Sequence, residues 1–206
     1  MKKKEKVLIL QGGRNEEHEV SLKTAKEVHK ALLKLGYNVE LLNVNPKTFK
    51  EEIKNIKTDY CFNALHGPFG EDGQIQSILF NQNIPFTHSG ISASVRAFDK
   101  QKTKICLNET ALNLLDSQVI SKMNIDKEFL EELLSKFKSF IIKPLSSGSS
   151  YGVLIIESKN DIKKILKNNE VRDVLYEKHQ KLIVEPYVKG RELTVSVIEK
   201  KDGSEP

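Results

Sequence analysis

Short apolar runs alternate with helix-like segments in the first part of the chain, and this alternation most narrows the folds open to it. The runs have the length of buried strands, and apolar residues recur between them at helical spacing. The predicted segments are a strand at 7–11, a helix at 21–35, strands at 37–44 and 60–65 with a short lysine-rich helix between them, a helix at 73–83 and a strand at 84–86. Strands that alternate with helices predict an open, Rossmann-like parallel sheet with right-handed crossovers.

The second part of the chain has a different order of segments. A long predicted helix at 97–114 leads into it. The segments that follow are predicted strands at 117–120, 140–143, 153–156, 182–186 and 192–199, with helices at 127–137 and 159–168. We place the boundary near residues 90–100, and therefore predict an α/β protein with domains at 1–95 and 96–206.

Composition and charge restrict the classes of partner. The chain has 206 residues, of which 38% are hydrophobic and 30% charged, as is typical of a globular protein with a substantial core. The net charge of +5 comes from lysines interleaved with Glu and Asp, and the chain has only four arginines, so we expect no nucleic-acid binding. No apolar run approaches the roughly 18 residues of a membrane helix. We therefore expect no membrane association. Because the N-terminus has no signal peptide, we also expect a cytoplasmic location.

The chain has two cysteines, Cys61 and Cys106, each in an apolar context. They lack the CxxC spacing of a metal site. We expect both to be buried free thiols rather than a disulfide.

Two polar loops follow strands of the predicted parallel sheet, where ligands of such sheets bind. The loop at 12–21 has two glycines and three glutamates, and its acidity suits an ammonium group better than a dinucleotide pyrophosphate. The loop at 64–73 contains His66, whose ring can donate a hydrogen bond to a carboxylate or a developing oxyanion. The alternative is structural in both loops: Ser21 caps one helix and Asp72 caps the other.

A third segment, at 139–152, reads SFIIKPLSSGSSYG and consists of a predicted strand followed by a polar loop. A buried strand delivers Lys143 to a loop of four serines and Gly148, and such a lysine beside hydroxyls and backbone N–H groups can hold a polyphosphate. Taken alone, the segment fits a polar turn between two strands equally well.

Five segments read together resemble D-alanine–D-alanine ligases of the ATP-grasp superfamily. They are GGRNEEHEVSLKTA, HGPFGEDGQIQ, PFTHSGISASVRAFDK, IIKPLSSGSSYGV and VEPYVKGRELTV, in the family's order and at compatible spacing. The resemblance runs from Val7 to the last residue, and implies a pre-ATP-grasp domain followed by an ATP-grasp domain. It also implies a cytoplasmic enzyme of peptidoglycan precursor synthesis, which uses ATP with Mg²⁺ or Mn²⁺, and a possible homodimer through the first domain.

The resemblance implies a reaction in two steps. ATP phosphorylates the carboxylate of one D-alanine, and the amine of a second D-alanine attacks the acyl phosphate to give D-Ala-D-Ala, ADP and phosphate. By the same resemblance, Glu17 binds the amino group of the first D-alanine and His66 lies near the phosphorylated carboxylate. Ser149 hydrogen-bonds towards Glu17 and helps to order the loop over the phosphates.

The remaining matched positions concern the nucleotide. The resemblance assigns Lys100, Lys143, Ser149 and Ser150 to the phosphates, Glu185 and the backbone around Tyr187 and Val188 to the adenine, and Glu192 to the ribose hydroxyls. Two lysines would neutralise the charge of a transferring phosphoryl group. We expect the two glutamates on adjacent strands.

The sequence departs from the family pattern at three places. His88 stands where the family usually has glycine, and its side chain could crowd the loop or force a different backbone angle. The segment before Val119 lacks the usual Gly-Leu-Pro. At Pro206 the chain ends before the portion that supplies the family's metal ligands, so we assign no metal-binding residue and expect an incomplete ATP-grasp domain that is not a competent ligase by itself.

The sequence leaves three alternatives to this function. One is a related ATP-grasp ligase that takes a D-hydroxy acid or D-serine as second substrate. Another is a non-catalytic binding remnant, although several intact site residues argue against decay, namely Glu17, His66, Lys143, Ser149 and Glu192. A dinucleotide-binding oxidoreductase is the weakest, because the glycine fingerprint and its acidic partner are lacking.

Overall fold

A computed structural model describes residues 5–121, 125–148, 150–168 and 181–198. Its elements are β1 (Lys6–Gly12), α1 (His18–Lys34), β2 (Asn38–Val44), α2 (Phe49–Glu52) with a 3₁₀ turn (Ile53–Asn55), β3 (Tyr60–Asn63), α3 (Gln74–Asn81), α4 (Ile91–Phe98), α5 (Lys100–Leu107), β4 (Gln118–Ser121), α6 (Lys127–Phe137), β5 (Phe140–Pro144), β6 (Leu154–Ile156), α7 (Lys159–Lys167) and β7 (Lys181–Pro186). Among the helices within these ranges, none combines the length and the apolar character needed to cross a membrane.

The first sheet has the strand order β2-β1-β3, and both pairings are parallel. Its central strand β1 is flanked on both sides, and the side chains from Val7 to Leu10 are buried. This explains why β1 reads as a continuous apolar run rather than an alternating one. A single parallel bridge from Cys61 to Phe86 takes the place of the short strand predicted at 84–86. The predicted open parallel sheet is confirmed.

Helix α1 begins at His18, three residues before the predicted start, so Ser21 lies inside its first turn. The Ser21 hydroxyl accepts a hydrogen bond from Gly12 N at 2.9 Å and donates one to Ala64 O at 2.7 Å. The prediction that Ser21 caps the helix is therefore wrong. Its hydroxyl instead joins the helix to the ends of β1 and β3.

The helix predicted at 97–114 is also wrong, because two shorter helices, α4 and α5, occupy this region. Between them Asp99 has extended backbone angles, φ −95° and ψ 112°, and its carboxylate accepts hydrogen bonds from Gln101 N and Lys102 N. Asp99 is thus the N-cap of α5, and a capping residue takes non-helical angles. Apolar spacing alone does not show such a break.

The second sheet is antiparallel, with the strand order β4-β7-β5-β6. Apolar side chains of α6 and α7, such as Leu130 and Ile162, are buried in one cluster with the strand residues Phe140 and Val184. The first sheet is thus followed by a second α/β unit. The predicted boundary between residues 95 and 96 lies within α4, and the division into two domains stays a prediction.

The strand predicted at 192–199 is wrong over the residues that the structure describes, because 192–198 have no regular secondary structure. The apolar side chains of Leu193, Val195 and Val197 are exposed. Their alternation is typical of a strand, but a strand also needs a neighbour to receive its backbone hydrogen bonds. In the described part of the chain no strand pairs with this segment.

The two cysteines are free thiols, as predicted, but they differ in burial. Cys61 lies in β3 and is fully buried, and this burial raises the pKa of its thiol to about 12. Cys106 is exposed on α5, so the prediction that both are buried is wrong for this residue. Its apolar sequence neighbour Ile105 is exposed on the same helix, which explains why local composition was misleading.

We predict that Ser21→Ala destabilises the protein by about 2 kcal/mol, because it leaves Gly12 N and Ala64 O buried without their partner. Urea unfolding monitored by circular dichroism measures this change. Ser92→Ala removes an exposed hydroxyl from α4 and should stay within about 0.5 kcal/mol of the unaltered protein. Equal stability of the two variants would contradict the linking role of Ser21.

The difference between the cysteines gives a second prediction. A thiol reagent such as dithionitrobenzoate should modify Cys106 in the folded protein and reach Cys61 only in denaturant, because the latter is buried and its thiol has a raised pKa. The measurement is the number of thiols released over time, with Cys106→Ser as the control. Rapid modification of that variant without denaturant would show that β3 is open to solvent.

Candidate functional site

The loops after β1 and β3 are joined at the carboxyl edge of the parallel sheet. The Asn15 amide donates hydrogen bonds to His66 O at 2.8 Å and to Pro68 O at 3.2 Å. The oxygen of the same amide accepts from Glu17 N at 2.9 Å. Asn15 therefore fixes Glu17 against the loop that carries His66.

The carboxylate of Glu17 lies between two glycines from different parts of the chain. Glu17 is only 4% exposed. A methyl group added to Gly67, whose φ is +71°, would collide with Glu17 Oε2, and one added to Gly148 would lie 3.1 Å from the same oxygen. Glycine at position 67 therefore allows both this backbone angle and the close approach of the Glu17 carboxylate. A buried carboxylate lined by glycine backbone suits a small ligand with an ammonium group.

The His66 ring is held between a helix and its own loop. Its Nε2 lies 3.0 Å from the Thr24 hydroxyl of α1, and its Nδ1 lies 3.8 Å from Glu71 Oε1. The ring is about one-third exposed and lines a cavity of about 230 Å³, together with Phe62, Gln76 and His88. This position leaves the ring reachable by a small molecule at the sheet edge.

His88, one of the predicted departures, lies in the left-handed region with φ 75°. Its ring packs edge-to-face on Phe62 with 5.4 Å between centroids, and its Nδ1 lies 2.9 Å from the Thr87 hydroxyl. The backbone of His88 therefore has an angle that favours glycine, and its side chain forms part of the cavity wall.

A second group of charged residues surrounds Glu185 on β7. Lys143 Nζ of β5 lies 2.5 Å from Glu185 Oε2, and Lys104 Nζ of α5 lies 2.8 Å from Oε1. Burial by itself would raise the pKa of Glu185, but the hydrogen bonds and charges of the two lysines outweigh it, and the pKa lies below its ordinary range. The carboxylate is thus an anion shared by two ammonium groups.

Lys100 connects this group to the glycine-serine loop, the segment 145–152 that follows β5. As the first residue of α5 it donates its backbone N–H to Leu145 O at 3.1 Å and its ammonium to Ser147 O at 2.9 Å. Burial lowers the pKa of Lys100, and the charge of Lys143 lowers it further, against smaller opposing effects of Glu185 and Asp99. A third ammonium therefore lies near enough to Lys143 and Glu185 to interact with their charges.

The charges near Glu185 favour an anionic ligand. Lys100, Lys104 and Lys143 contribute three positive charges, and Glu185 offsets one of them. Such a cluster attracts a polyphosphate. It does not fit a magnesium ion, because the carboxylate is already bound by two cations, and no group of three or more metal-ligating side chains occurs among the described residues.

Some of the predicted site residues come together and others do not. Glu17 and the His66 loop form one group, and Lys100, Lys143 and Glu185 form another. Gly148 links the two by its approach to Glu17.

The other predicted residues lie outside these two groups. The side chains of Val188 and Glu192 are exposed, and Glu192 follows the end of β7 without a strand of its own, so the expectation of adjacent strands is wrong. Tyr187 donates its N–H to Ser139 O at 3.0 Å. Ser150 is exposed in a turn with φ 56°, and Ser149 falls outside the described residues. The ligand roles assigned to these residues stay predictions.

Three residues of the site were missed by the sequence analysis: Asn15, Thr24 and Lys104. Lys104 follows Lys100 by four positions in a helical segment, so their shared helix face was readable. The contacts of Asn15 and Thr24 with the loop that carries His66 join residues more than forty positions apart, and no local pattern reports them.

Comparison with known proteins identifies one family over most of the chain. A family model described as D-ala D-ala ligase N-terminus matches residues 43–89, and one described as D-ala D-ala ligase C-terminus matches residues 106–205. Both match in the order that the sequence analysis expected.

Individual relatives agree with these matches. The chain is 39% identical over 202 residues to the D-alanine–D-alanine ligase of Pelagibacter ubique, and covers 62% of it. It is 35% identical over 196 residues to that of Rickettsia rickettsii and covers 57% of it; each alignment includes 95% of this chain. The crystal structure of the Bacillus anthracis ligase complexed with ATP superposes with a TM-score of 0.71 at 26% identity, over 90% of this chain and 60% of that one. The expected fold, a parallel-sheet unit followed by part of an ATP-grasp unit, is confirmed.

We predict an acid-sensitive contribution of Glu185 to stability. A carboxylate with a lowered folded-state pKa stabilises the protein above its unfolded-state pKa of about 4.3, and this contribution is lost as the pH falls through the lower value. Glu185→Gln should therefore cost about 3 kcal/mol at neutral pH and progressively less below about pH 4. Denaturant unfolding at several pH values measures the difference. Glu192→Gln, an exposed control, should change little, and a Glu185→Gln deficit that stays constant in acid would contradict the ion-pair assignment.

Proposed function

The chain belongs to the D-alanine–D-alanine ligase family, and we propose from this that it carries the amino-acid site and the phosphate site of an ATP-dependent ligase. The whole protein joins two D-alanines into D-Ala-D-Ala for peptidoglycan precursor synthesis. The chain spans about 60% of the curated relatives' length.

The observation that carries the proposal is the position of the glycine-serine loop. Its base is attached to Lys100 through Leu145 O and Ser147 O, beside the lysine cluster. Its Gly148 lies against the carboxylate of Glu17. A ligase that phosphorylates an amino acid must bring the terminal phosphate of ATP to the substrate carboxylate, and this loop spans the two sites.

The residues of this chain have separate tasks in the reaction. Glu17 binds the ammonium group of the first D-alanine and so fixes its carboxylate near His66. The lysine cluster positions the phosphates and offsets their charge while the carboxylate oxygen attacks the terminal phosphorus and ADP leaves. The amine of the second D-alanine then attacks the acyl carbon; the C–N bond forms, the C–O bond to phosphate breaks, and the amine gives up a proton. A His66 ring that donates a hydrogen bond would stabilise the oxyanion of that step.

The proposal extends to the second substrate, the oligomeric state and the cellular compartment. The two curated relatives described above are named D-alanine–D-alanine ligases, so we take D-alanine as the second substrate. Exposed apolar residues on the first unit, Leu35 and Phe80 among them, support a homodimer. Two free thiols suit the reducing cytoplasm.

A pair of variants tests the two sites separately. Glu17→Gln removes the charge that attracts the ammonium group, and should weaken D-alanine binding roughly tenfold or more while ATP binding changes little. Lys143→Met removes one cation of the cluster and should weaken ATP binding while D-alanine binding changes little. Isothermal titration calorimetry of the 206-residue chain with each ligand measures both affinities.

Charge-matched controls accompany these variants. Glu19→Gln and Lys181→Met remove exposed charges near each site and should leave both affinities unchanged. If the unaltered chain binds neither ligand, or if Glu17→Gln weakens ATP and D-alanine equally, the division into two sites is wrong. Ligation itself is measured as ATP- and D-alanine-dependent phosphate release by a version of the protein that reaches its relatives' length. Equal turnover with L-alanine would contradict the proposed substrate.

A further inference from the structure

Two lysines share one buried carboxylate, and they differ in what else holds them. Lys104 Nζ lies 2.8 Å from Glu185 Oε1 and also donates a hydrogen bond to Leu115 O at 2.7 Å. For Lys143 Nζ, the described part of the chain shows the contact with Glu185 Oε2. The Lys104 ammonium is thus held by two groups, Glu185 of β7 and Leu115 O in the segment before β4. The Lys143 side chain extends from β5 at the base of the glycine-serine loop.

A bound polyphosphate would affect Lys143 more than Lys104. Its negative charges compete with Glu185 for Lys143, which precedes the loop over the phosphates. Glu185 is 5% exposed, and a buried carboxylate that loses its only cation is strongly destabilised. Of the charged groups that face Glu185, namely Lys100, Lys104 and Lys143, Lys100 is directed to Ser147 O. Among the described residues, only Lys104 is in place to remain beside Glu185.

We propose that Lys104 is a positioning residue of the nucleotide site: it keeps Glu185 ionised and fixed while Lys143 moves from Glu185 to the phosphates. The inference rests on the proposed function, in which the phosphates are those of ATP, and on the family resemblance, which assigns Glu185 to the adenine. Lys104 itself touches no phosphate. Its effect is to make the departure of Lys143 cost less.

The test compares Lys104→Met, which removes charge and hydrogen bond, with Lys104→Gln, which keeps a hydrogen-bond donor, and Lys104→Arg, which keeps the charge. Lys102→Met, an exposed lysine of the same helix, is the matched control. Isothermal titration calorimetry with ATP and excess magnesium chloride, in two buffers that differ in ionisation enthalpy, measures the affinity and the protons taken up on binding. Thermal unfolding of each variant checks that it is folded.

The expected result separates charge from structure. Lys104→Met and Lys104→Gln should bind ATP roughly tenfold more weakly and take up at least about half a proton more than the unaltered chain, because Glu185 must protonate when Lys143 leaves. Lys104→Arg and Lys102→Met should behave like the unaltered chain. A variant that is merely loosened would bind weakly without extra proton uptake.

Each contrary outcome has a distinct meaning. If Lys104→Met fails to fold, Lys104→Gln carries the same comparison. Unchanged affinity and proton uptake in Lys104→Gln, or weakening without proton uptake, would overturn the role of Lys104 while the proposed function stands. If the unaltered chain does not bind ATP, the proposed function is wrong and the inference falls with it.

Discussion

Parallel pairing of β1 with β3 is the constraint on which the rest of the site depends. Parallel neighbours end at the same edge of a sheet, so the loops that follow Gly12 and Asn63 must lie side by side. The hydrogen bonds of Asn15 and Ser21 to carbonyls of the other loop then fix their separation. Glu17 can be buried with its carboxylate against Gly67 only because this edge is so closely set.

The second unit contributes the cluster of lysines around Glu185, and the first contributes the closely packed loops around Glu17. Antiparallel pairing of β5 with β7 places Ile141 opposite Glu185 and Lys143 two positions along, so the ammonium reaches the carboxylate diagonally. Lys104 reaches it from α5, whose start is fixed by the Asp99 cap. The cap sets where α5 begins, and the start of the helix sets the direction in which the Lys104 side chain leaves it. The capping residue is therefore part of what positions the cluster, although it binds none of it.

The features predictable from sequence were those that depend on neighbours in the chain. The strand β1 was recognised as a short continuous apolar run, and the helix α6 by apolar residues at helical spacing; α6 has the predicted bounds 127–137. The break at Asp99 was missed because a cap is a choice between two local hydrogen-bonding states. Alternation at 192–198 was misread because it shows that two faces differ, not that a neighbouring strand exists. The grouping of Lys143 with Glu185 followed from ordered motifs, whereas the contact of Lys104 depends on how α5 packs.

The glycine-serine loop unites these two contributions. Its carbonyl oxygens at Leu145 and Ser147 accept from Lys100, and its Gly148 lies on Glu17. Under the proposed function, a nucleotide that draws Lys100 away from Ser147 O would release a contact that holds the loop, and an amino acid bound at Glu17 would lie against Gly148 of the same loop. Under the proposed function, the amino acid and the nucleotide are therefore energetically coupled through one short segment, and that coupling is the same in both directions. The order in which the two ligands bind does not change this coupling, because it is a difference in binding free energy between the same end states.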